Sequence, residues 1–308
     1  MSFTDRLVAT ASDTIEFFNR YTGRVETEQV YGLGWLRFIY GNPLGRLTLE
    51  LVAKRAWFSR WYGWRMDRPA SRAKIAPFIA EFGMDTGEFV RRPEEFATFN
   101  EFFFRHLKPA ARPVDAAPDS VVFPADGRHL GFQDVSQVDG IFVKGQRFDL
   151  PTFLGDAALA ERFRDGAAVM SRLCPVDYHR FHFPAAGVPS EPRLINGPLY
   201  SVSPIALRQN IALLWQNKRV ITRLETRELG LVLLIEVGAT NVGSIVQTFR
   251  PGQPVAKGAE KGCFKFGGSS TIVLFERGRV KLADDLVENA KLNRELYARV
   301  GDRMAVRA

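Results

Sequence analysis

The sequence predicts an α+β protein, a helical N-terminal region followed by a β-rich barrel- or sandwich-like domain. Three observations carry this. Apolar residues recur every three or four positions through much of the first hundred residues, the periodicity of helices. From Arg112 onward, short runs of Val, Ile, Leu and Phe alternate with Gly, Pro and Asp-Gly, the texture of strands between turns. The 308 residues allow one large domain or two smaller ones. The texture divides the chain into a region 1–92 and a domain 93–308.

The elements follow in chain order. Residues 2–20 carry a patchy helical pattern. In 43–66, Leu44, Leu47, Leu51, Phe58, Trp61 and Tyr62 form a stripe behind a helix-opening Pro43. Residues 71–83 read as a short amphipathic helix with Ile75, Phe78, Ile79 and Phe82 on one side. Residues 93–107 predict a helix whose buried stripe is Phe96, Phe99 and Phe103, with Pro109 beyond its end. The strand-like runs then begin with SVVFP and RHLGF and continue through AAVMSRL, RVITRLET, LGLVLLIEVG and STIVLFERG. Helices near 159–163 and 206–216 interrupt them, and the tail 284–300 returns to a helical pattern.

Composition narrows the function classes. Hydrophobic residues make up 46% and charged residues 25%, as in an ordinary globular protein. Two cysteines exclude a disulfide scaffold and a four-cysteine zinc site; Cys174 and Cys263 read as small buried hydrophobes. With four histidines, a metal site would lean on carboxylates, and none is predicted. No apolar run approaches the ~18–20 residues that cross a bilayer. The opening MSFTDRLVATASDTIEFF lacks the basic-then-apolar order of a signal peptide. A soluble or peripherally bound intracellular protein is expected.

Of the net charge of +8, +7 sits in one place. Residues 35–74 hold nine basic side chains and two acids, Glu50 and Asp67, together with four of the five tryptophans. Basic residues flanking a Trp- and Phe-rich face suit a helix lying in a membrane interface, with Trp57, Phe58, Trp61 and Trp64 as docking residues. The alternative is a helix packed on the protein's own core. No recognition-helix, zinc-finger or RNP-type motif supports nucleic-acid binding.

Three segments could carry chemistry. Pro124-Ala125-Asp126-Gly127 lies between two strand-like runs, where Asp-Gly also reads as a simple hairpin turn. Cys174–Pro184 holds two of the four histidines, His179 and His182, beside Asp177 and Arg180; one histidine within reach of a reacting group is enough for acid–base work. Phe264–Thr271 places two glycines before a hydroxyl cluster, either a turn or the seat of a nucleophilic serine. It is not the G-x-S-x-G elbow, because Thr271 stands at the last glycine, nor a phosphate loop, because no Gly-Lys-Ser/Thr is present. Asp126, His182 and Ser269 could assemble as orienter, base and nucleophile.

These segments and their spacing resemble the phosphatidylserine decarboxylase family. The resemblance runs from about Arg37 to Leu286 and includes FNEFFFRHLKPAARPVD, PADG, FVKG, CPVDYHRFHFPAAG, VGATNVGSI, KGAEKGCF and FGGSST. The double glycine before the serine is similar to the longer-chain, type II branch. The resemblance implies a zymogen that cuts itself between Gly268 and Ser269. The Ser269 hydroxyl attacks the preceding carbonyl, the amide becomes an ester, and β-elimination frees the upstream chain. The dehydroalanine left behind hydrolyses to a pyruvoyl group. It further implies a β chain of 1–268 and an α chain of 269–308, held as a heterodimer alone or in a higher oligomer. Asp126 would orient His182, His182 would activate Ser269, and His179 would assist decarboxylation or protonation. The pyruvoyl group would form a Schiff base with phosphatidylserine and act as the electron sink for loss of CO2. An anionic lipid substrate implies a peripheral enzyme on the cytoplasmic face of a bacterial-type cell membrane. Two other readings are a pyruvoyl-dependent decarboxylase of a related seryl lipid and an uncleaved lipid-binding module. A serine hydrolase is disfavoured by the motif.

Overall fold

The computed structural model describes residues 15–28, 61, 63–136, 149–198, 216–238, 245–265 and 269–308. Strands dominate. The longest sit at the centre of one large sheet: β9 (Arg219–Thr226), β10 (Gly230–Gly238), β13 (Ser269–Phe275) and β5 (Ala167–Leu173). β5 is flanked by β4 (Gly127–Phe132), then β15 (Glu295–Ala298), β1 (Glu16–Asn19) and β2 (Arg24–Thr27). At the other end β9 pairs with β7 (Val188–Pro189) and β8 (Arg193–Ile195). All pairings in this sheet are antiparallel except β1 with β15. Among the described residues there are also two three-stranded sheets. One orders β11 (Ile245–Gln247), β12 (Glu260–Phe264) and β6 (Arg180–His182). The other orders β14 (Val280–Leu282), β16 (Arg303–Arg307) and β3 (Ser120–Val122).

Both faces of the large sheet are covered, which is why β13 and β10 are buried on both faces and read as long apolar runs, Ile272–Phe275 and Leu231–Ile235, rather than alternating. One face packs Met170, Ile235 and Ile272 against Phe153, Leu154, Leu159 and Phe163 from helices Leu150–Leu154 and Ala157–Phe163. The opposite face packs Val169, Leu234 and Val273 against Val121, Phe123, Phe183, Leu282 and Met304. Each of the two helices opens on an aspartate, Asp149 or Asp156, whose carboxylate accepts a backbone N–H of its first turn.

The fold is therefore α+β and β-rich, but the expected barrel does not close. Among the described residues the large sheet is an open ribbon with β2 at one edge and β7 and β8 at the other. The N-terminal region is also not wholly helical. Where residues 2–20 suggested a helix, Glu16–Asn19 form β1 and turn through Gly23 into β2. Tertiary pairing with β15 overrides the weak local pattern. The 93–107 stripe becomes a 3₁₀ turn at Pro93–Glu95 and an α-helix at Phe99–Phe103, capped by the Thr98 hydroxyl. In the tail, the helix stops at Lys291 and the chain returns as β15 and β16. Helix Ile75–Phe82 carries Ile75 and Phe78 onto Phe96, Phe99 and Phe102, so one aromatic cluster spans 66–103 across the 92/93 line. The docking residues Trp57 and Phe58, most of 43–66, the FVKG run, most of the helix expected at 206–216, and Gly268 lie outside the described residues.

Candidate active site

One end of the large sheet gathers the chemistry-bearing segments. Ser269 opens β13, with Leu173, the last residue of β5, opposite it on one side and Gly238, the last of β10, on the other. Gly127 opens β4 beside β5, so Asp126 stands at the same end. Asp126-Gly127 is not a hairpin turn: it carries the chain from β3 in a small sheet to β4 in the large one. A Cβ at Gly127 would lie 2.5 Å from the Arg172 carbonyl oxygen, so the crossing needs glycine. Two backbone bonds bring in the histidine segment. His182 N–H donates to the Pro124 carbonyl at 2.7 Å, and Phe264 N–H donates to the His179 carbonyl at 2.9 Å. Ala125, Leu173, Phe181 and Phe264, neighbours or cross-strand partners of the candidate residues, pack together as a small apolar cluster.

Ser269 is 0% exposed, and its hydroxyl has no hydrogen-bond partner among the described residues. A buried hydroxyl left unbonded costs about 1–3 kcal/mol; the Thr222 and Thr271 hydroxyls share this state among the described residues, and Ser269 is set apart from them by its place directly after Gly267-Gly268. Ser270 differs. Strand alternation turns it to the opposite face, where its hydroxyl donates to the Ser171 carbonyl at 2.9 Å.

His182 donates from Nδ1 to the Gly258 carbonyl at 2.9 Å, which leaves Nε2 as a buried acceptor without a hydrogen-bond partner among the described residues. Burial pulls its pKa below the usual imidazole value, with the Gly258 carbonyl and the charges of Glu260 and Asp126 opposing. A neutral ring with a bare Nε2 is suited to accept a proton. His179 is fully buried. Its Nδ1 donates to the Asp177 carbonyl at 3.0 Å and its ring lies 3.8 Å from the Phe103 ring centre.

Asp126 departs from its expected role. Its carboxylate accepts from Arg112 through Nε at 2.8–2.9 Å and Nη2 at 2.7 Å, and from the Val300 N–H at 2.9 Å. His182 Nδ1 donates to the Gly258 carbonyl rather than to the Asp126 carboxylate that was expected to orient it, and the negative charge of Asp126 favours the protonated ring. Arg112 also pairs with Glu88 at 3.0 Å; burial works against its charge, and Asp126 and Glu88 more than offset that. Behind His179, the buried Asp177 carboxylate accepts both from Arg128 at 2.7 Å and from the Cys174 N–H at 2.6 Å, closing the turn that carries the histidine. Arg112 and Arg128 were not singled out from the sequence. Nothing in the local pattern marks them, since their partners lie 14 and 49 residues away.

A cavity of about 310 Å³ opens beside Asp126, lined in part by Arg105, Arg112, Arg128, Asp177, Tyr178 and Tyr297. Its walls carry both signs of charge. Among the described residues, no group of three or more His, Cys, Asp or Glu is placed to hold a metal ion. Outside the site, Trp61 and Trp64 are 46% and 53% exposed, with the Arg65 and Arg68 guanidiniums 5.2 and 4.1 Å from their ring centres. No helix among the described residues is long and apolar enough to cross a membrane.

Fold and site together define an α+β protein with a buried serine hydroxyl, one buried and one half-buried imidazole, and, beside Asp126, a polar cavity whose lining does not include Ser269 or either histidine; Ser269 and His182 are not hydrogen-bonded to each other. Residues 99–305, which include all four candidate catalytic residues, match the family model for phosphatidylserine decarboxylase. The chain is 43% identical over 291 residues to the phosphatidylserine decarboxylase proenzyme of Fusobacterium nucleatum, covering 94% of this chain and 97% of that one. It is 41% identical over 293 residues to the proenzyme of Desulfitobacterium hafniense strain Y51, covering 95% and 98%. Identity to the Chlamydia pneumoniae proenzyme is 40% over 286 residues, covering 93% and 95%. The chain belongs to the phosphatidylserine decarboxylase family.

Proposed function

We propose that this chain is made as a proenzyme, cuts itself between Gly268 and Ser269, and then converts phosphatidylserine to phosphatidylethanolamine and CO2. The observation that carries the reading is the buried Ser269 hydroxyl, without a hydrogen-bond partner among the described residues, at the end of the large sheet against which the His182 segment is held through Pro124, in a chain of this family. In the first step His182 Nε2 takes the Ser269 proton as the oxygen attacks the Gly268 carbonyl. The ester that forms releases the upstream chain by β-elimination. Hydrolysis of the resulting dehydroalanine yields ammonia and a pyruvoyl group at the head of β13.

The residues present fit that group: Ser269 is held in a strand by pairing on both sides, and Leu173, Phe181 and Phe264 surround this end with apolar contacts. When formed, the pyruvoyl group supplies a keto electron sink that no ordinary side chain offers. The chain's own residues do the rest. The cavity beside Asp126 offers both signs of charge to a zwitterionic serine headgroup. His179, its tautomer fixed by the Asp177 carbonyl, holds or returns a proton from Nε2. Asp126 is held in place by Arg112 and the Val300 N–H. The cut chains, β of 1–268 and α of 269–308, stay together because β13 is paired on both sides by β-chain strands.

The enzyme works as a peripheral protein on the cytoplasmic face of the membrane. Trp61 and Trp64, exposed and stacked with arginines, suit rings at headgroup depth beside cations that meet anionic lipid. A denaturing gel with intact-mass measurement tests the reading. Active protein should show two chains split before Ser269, the shorter with a pyruvoyl-blocked N-terminus, and Ser269→Ala should stay whole and inactive. A single full-length chain in an active preparation would overturn it.

A further inference from the structure

A buried ion pair lies outside the groups used so far. Lys261 Nζ stands 2.8 Å from Glu236 Oε2 and donates to Gln247 Oε1 at 2.9 Å, and Gln247 Nε2 donates to the same Glu236 oxygen at 2.8 Å. The two charged side chains are 1% and 2% exposed. The Phe181 and Phe249 rings lie 5.4 and 5.3 Å from the ammonium. Such a pair does not explain itself by stability, because desolvating two charges commonly offsets their attraction, and apolar side chains of similar volume often serve as well.

Its position is informative. Lys261 is the extra residue of a β-bulge: Glu260 faces His182 and Gly262 faces Phe181, so two steps on β12 meet one on β6. A bulge re-aims the side chain it carries. Glycine beside it is required, since a Cβ at Gly262 would lie 2.1 Å from the Val246 carbonyl oxygen. The Lys261 side chain therefore reaches across from the three-stranded sheet to β10 of the large sheet. There Glu236 is opposite Thr271 and two residues from Gly238, the partner of Ser269. Strand alternation places Glu236, Thr271 and Ser269 on one face. The ion pair thus joins the strand beside His182 to the strand beside Ser269.

We propose that Lys261 and Glu236 are positioning residues: their buried pair sets the distance between the sheet that carries His182 and the sheet face that carries Ser269. This rests on the reading that His182 serves Ser269. The chain passes from β12 to β13 through residues 265–268, so cutting after Gly268 removes the covalent link between the two sheets at this point. Both ends of the ion pair belong to the 1–268 chain and survive the cut. A charge pair in an apolar surround tolerates little change in separation, whereas an apolar contact can slide. The pair therefore keeps β12 and β6 in register with β13 in the uncut and the cut protein alike. Misplacement of reacting groups by about 1 Å can slow a reaction ~100-fold.

Two variants of the full chain test this. Glu236→Met/Lys261→Met replaces the pair with apolar side chains of similar volume. Glu236→Asp keeps both charges and shortens the arm by one methylene. For each, the rate of self-cutting is followed on a gel, kcat and KM are measured on the cut fraction, and the thermal midpoint is recorded. The expected result is cutting at least tenfold slower than in the parent, with kcat lowered and KM unchanged, in protein whose thermal midpoint stays near the parental value. A folded variant of either kind that cuts and turns over within twofold of the parent overturns the proposal. His182→Ala is run alongside. If it cuts at the parental rate, the reading of His182 fails; if it stays uncut while the pair variants cut normally, only the positioning role fails.

Discussion

Removing the Arg128 guanidinium should produce a loss of stability that shrinks in acid. Arg128 and Asp177 are 7% and 6% exposed, with both carboxylate oxygens within 2.8 Å of the Arg128 Nη1. Arg128→Met leaves the Asp177 carboxylate buried without its cation, which costs about 3–5 kcal/mol. At roughly 2 °C per kcal/mol for a chain of this size, the thermal midpoint near neutral pH should fall by about 6–10 °C. The pH dependence follows from the proton balance. Burial already raises the Asp177 pKa above its usual value and Arg128 holds it down; without Arg128 it rises further. The native state then keeps a proton to higher pH than the unfolded state, so stability falls as pH climbs through that interval. The deficit relative to the parent should therefore be smaller at pH 5 than at pH 7.5. Arg128→Met/Asp177→Asn should regain much of the loss, because asparagine can still accept from the Cys174 N–H and carries no charge. Thermal unfolding of the three proteins at both pH values measures this. An equal deficit at pH 5 and pH 7.5, or no recovery in the double variant, would refute the reasoning.

Other outcomes follow from the same geometry. His129 is fully buried, and desolvation lowers its pKa to about 3, so the native state excludes a proton that the unfolded state binds below about pH 6.5. Stability should drop by about 2 kcal/mol between pH 7 and pH 5 from this residue alone, and denaturant titrations of His129→Gln should show most of that drop removed. Ser270→Ala should lose about 1 kcal/mol with its bond to the Ser171 carbonyl yet cut at the parental rate; if it stays uncut, the nucleophile is Ser270. Trp61→Ala/Trp64→Ala removes two rings that could each bury ~100 Å² against lipid, about 2.5 kcal/mol apiece. Binding to anionic vesicles should weaken at least tenfold while self-cutting is unchanged, and undiminished binding in a vesicle sedimentation assay would remove these residues from the docking surface.

The candidate site residues could be picked out from the chain because they lie in contiguous motifs. Asp126, His179, His182 and Ser269 each stand in a run whose composition sets it apart, and the buried, strand-bound position of Ser269 agrees with the apolar STIVLFE that follows it. The same local signal misled where tertiary pairing decided the outcome. Glu16–Asn19 carries a patchy helical pattern, but hydrogen bonds to β15, nearly 280 residues on, make it a strand. Asp126-Gly127 has the composition of a hairpin turn, but the strands on its two sides belong to different sheets.

The sequence alone determined the class of fold, the strand-rich texture after Arg112, the family motifs and the clustering of charge and tryptophan in 35–74, because each depends on residues close together in the chain. Only the tertiary structure decided that the large sheet is open among the described residues, that His182 Nδ1 meets Gly258 rather than Asp126, and that Arg112 pairs with Asp126, Arg128 with Asp177 and Lys261 with Glu236. Those are long-range choices. A buried carboxylate takes whichever donor the fold brings to it, a β-bulge aims a lysine at a partner 25 residues away, and no local pattern records either.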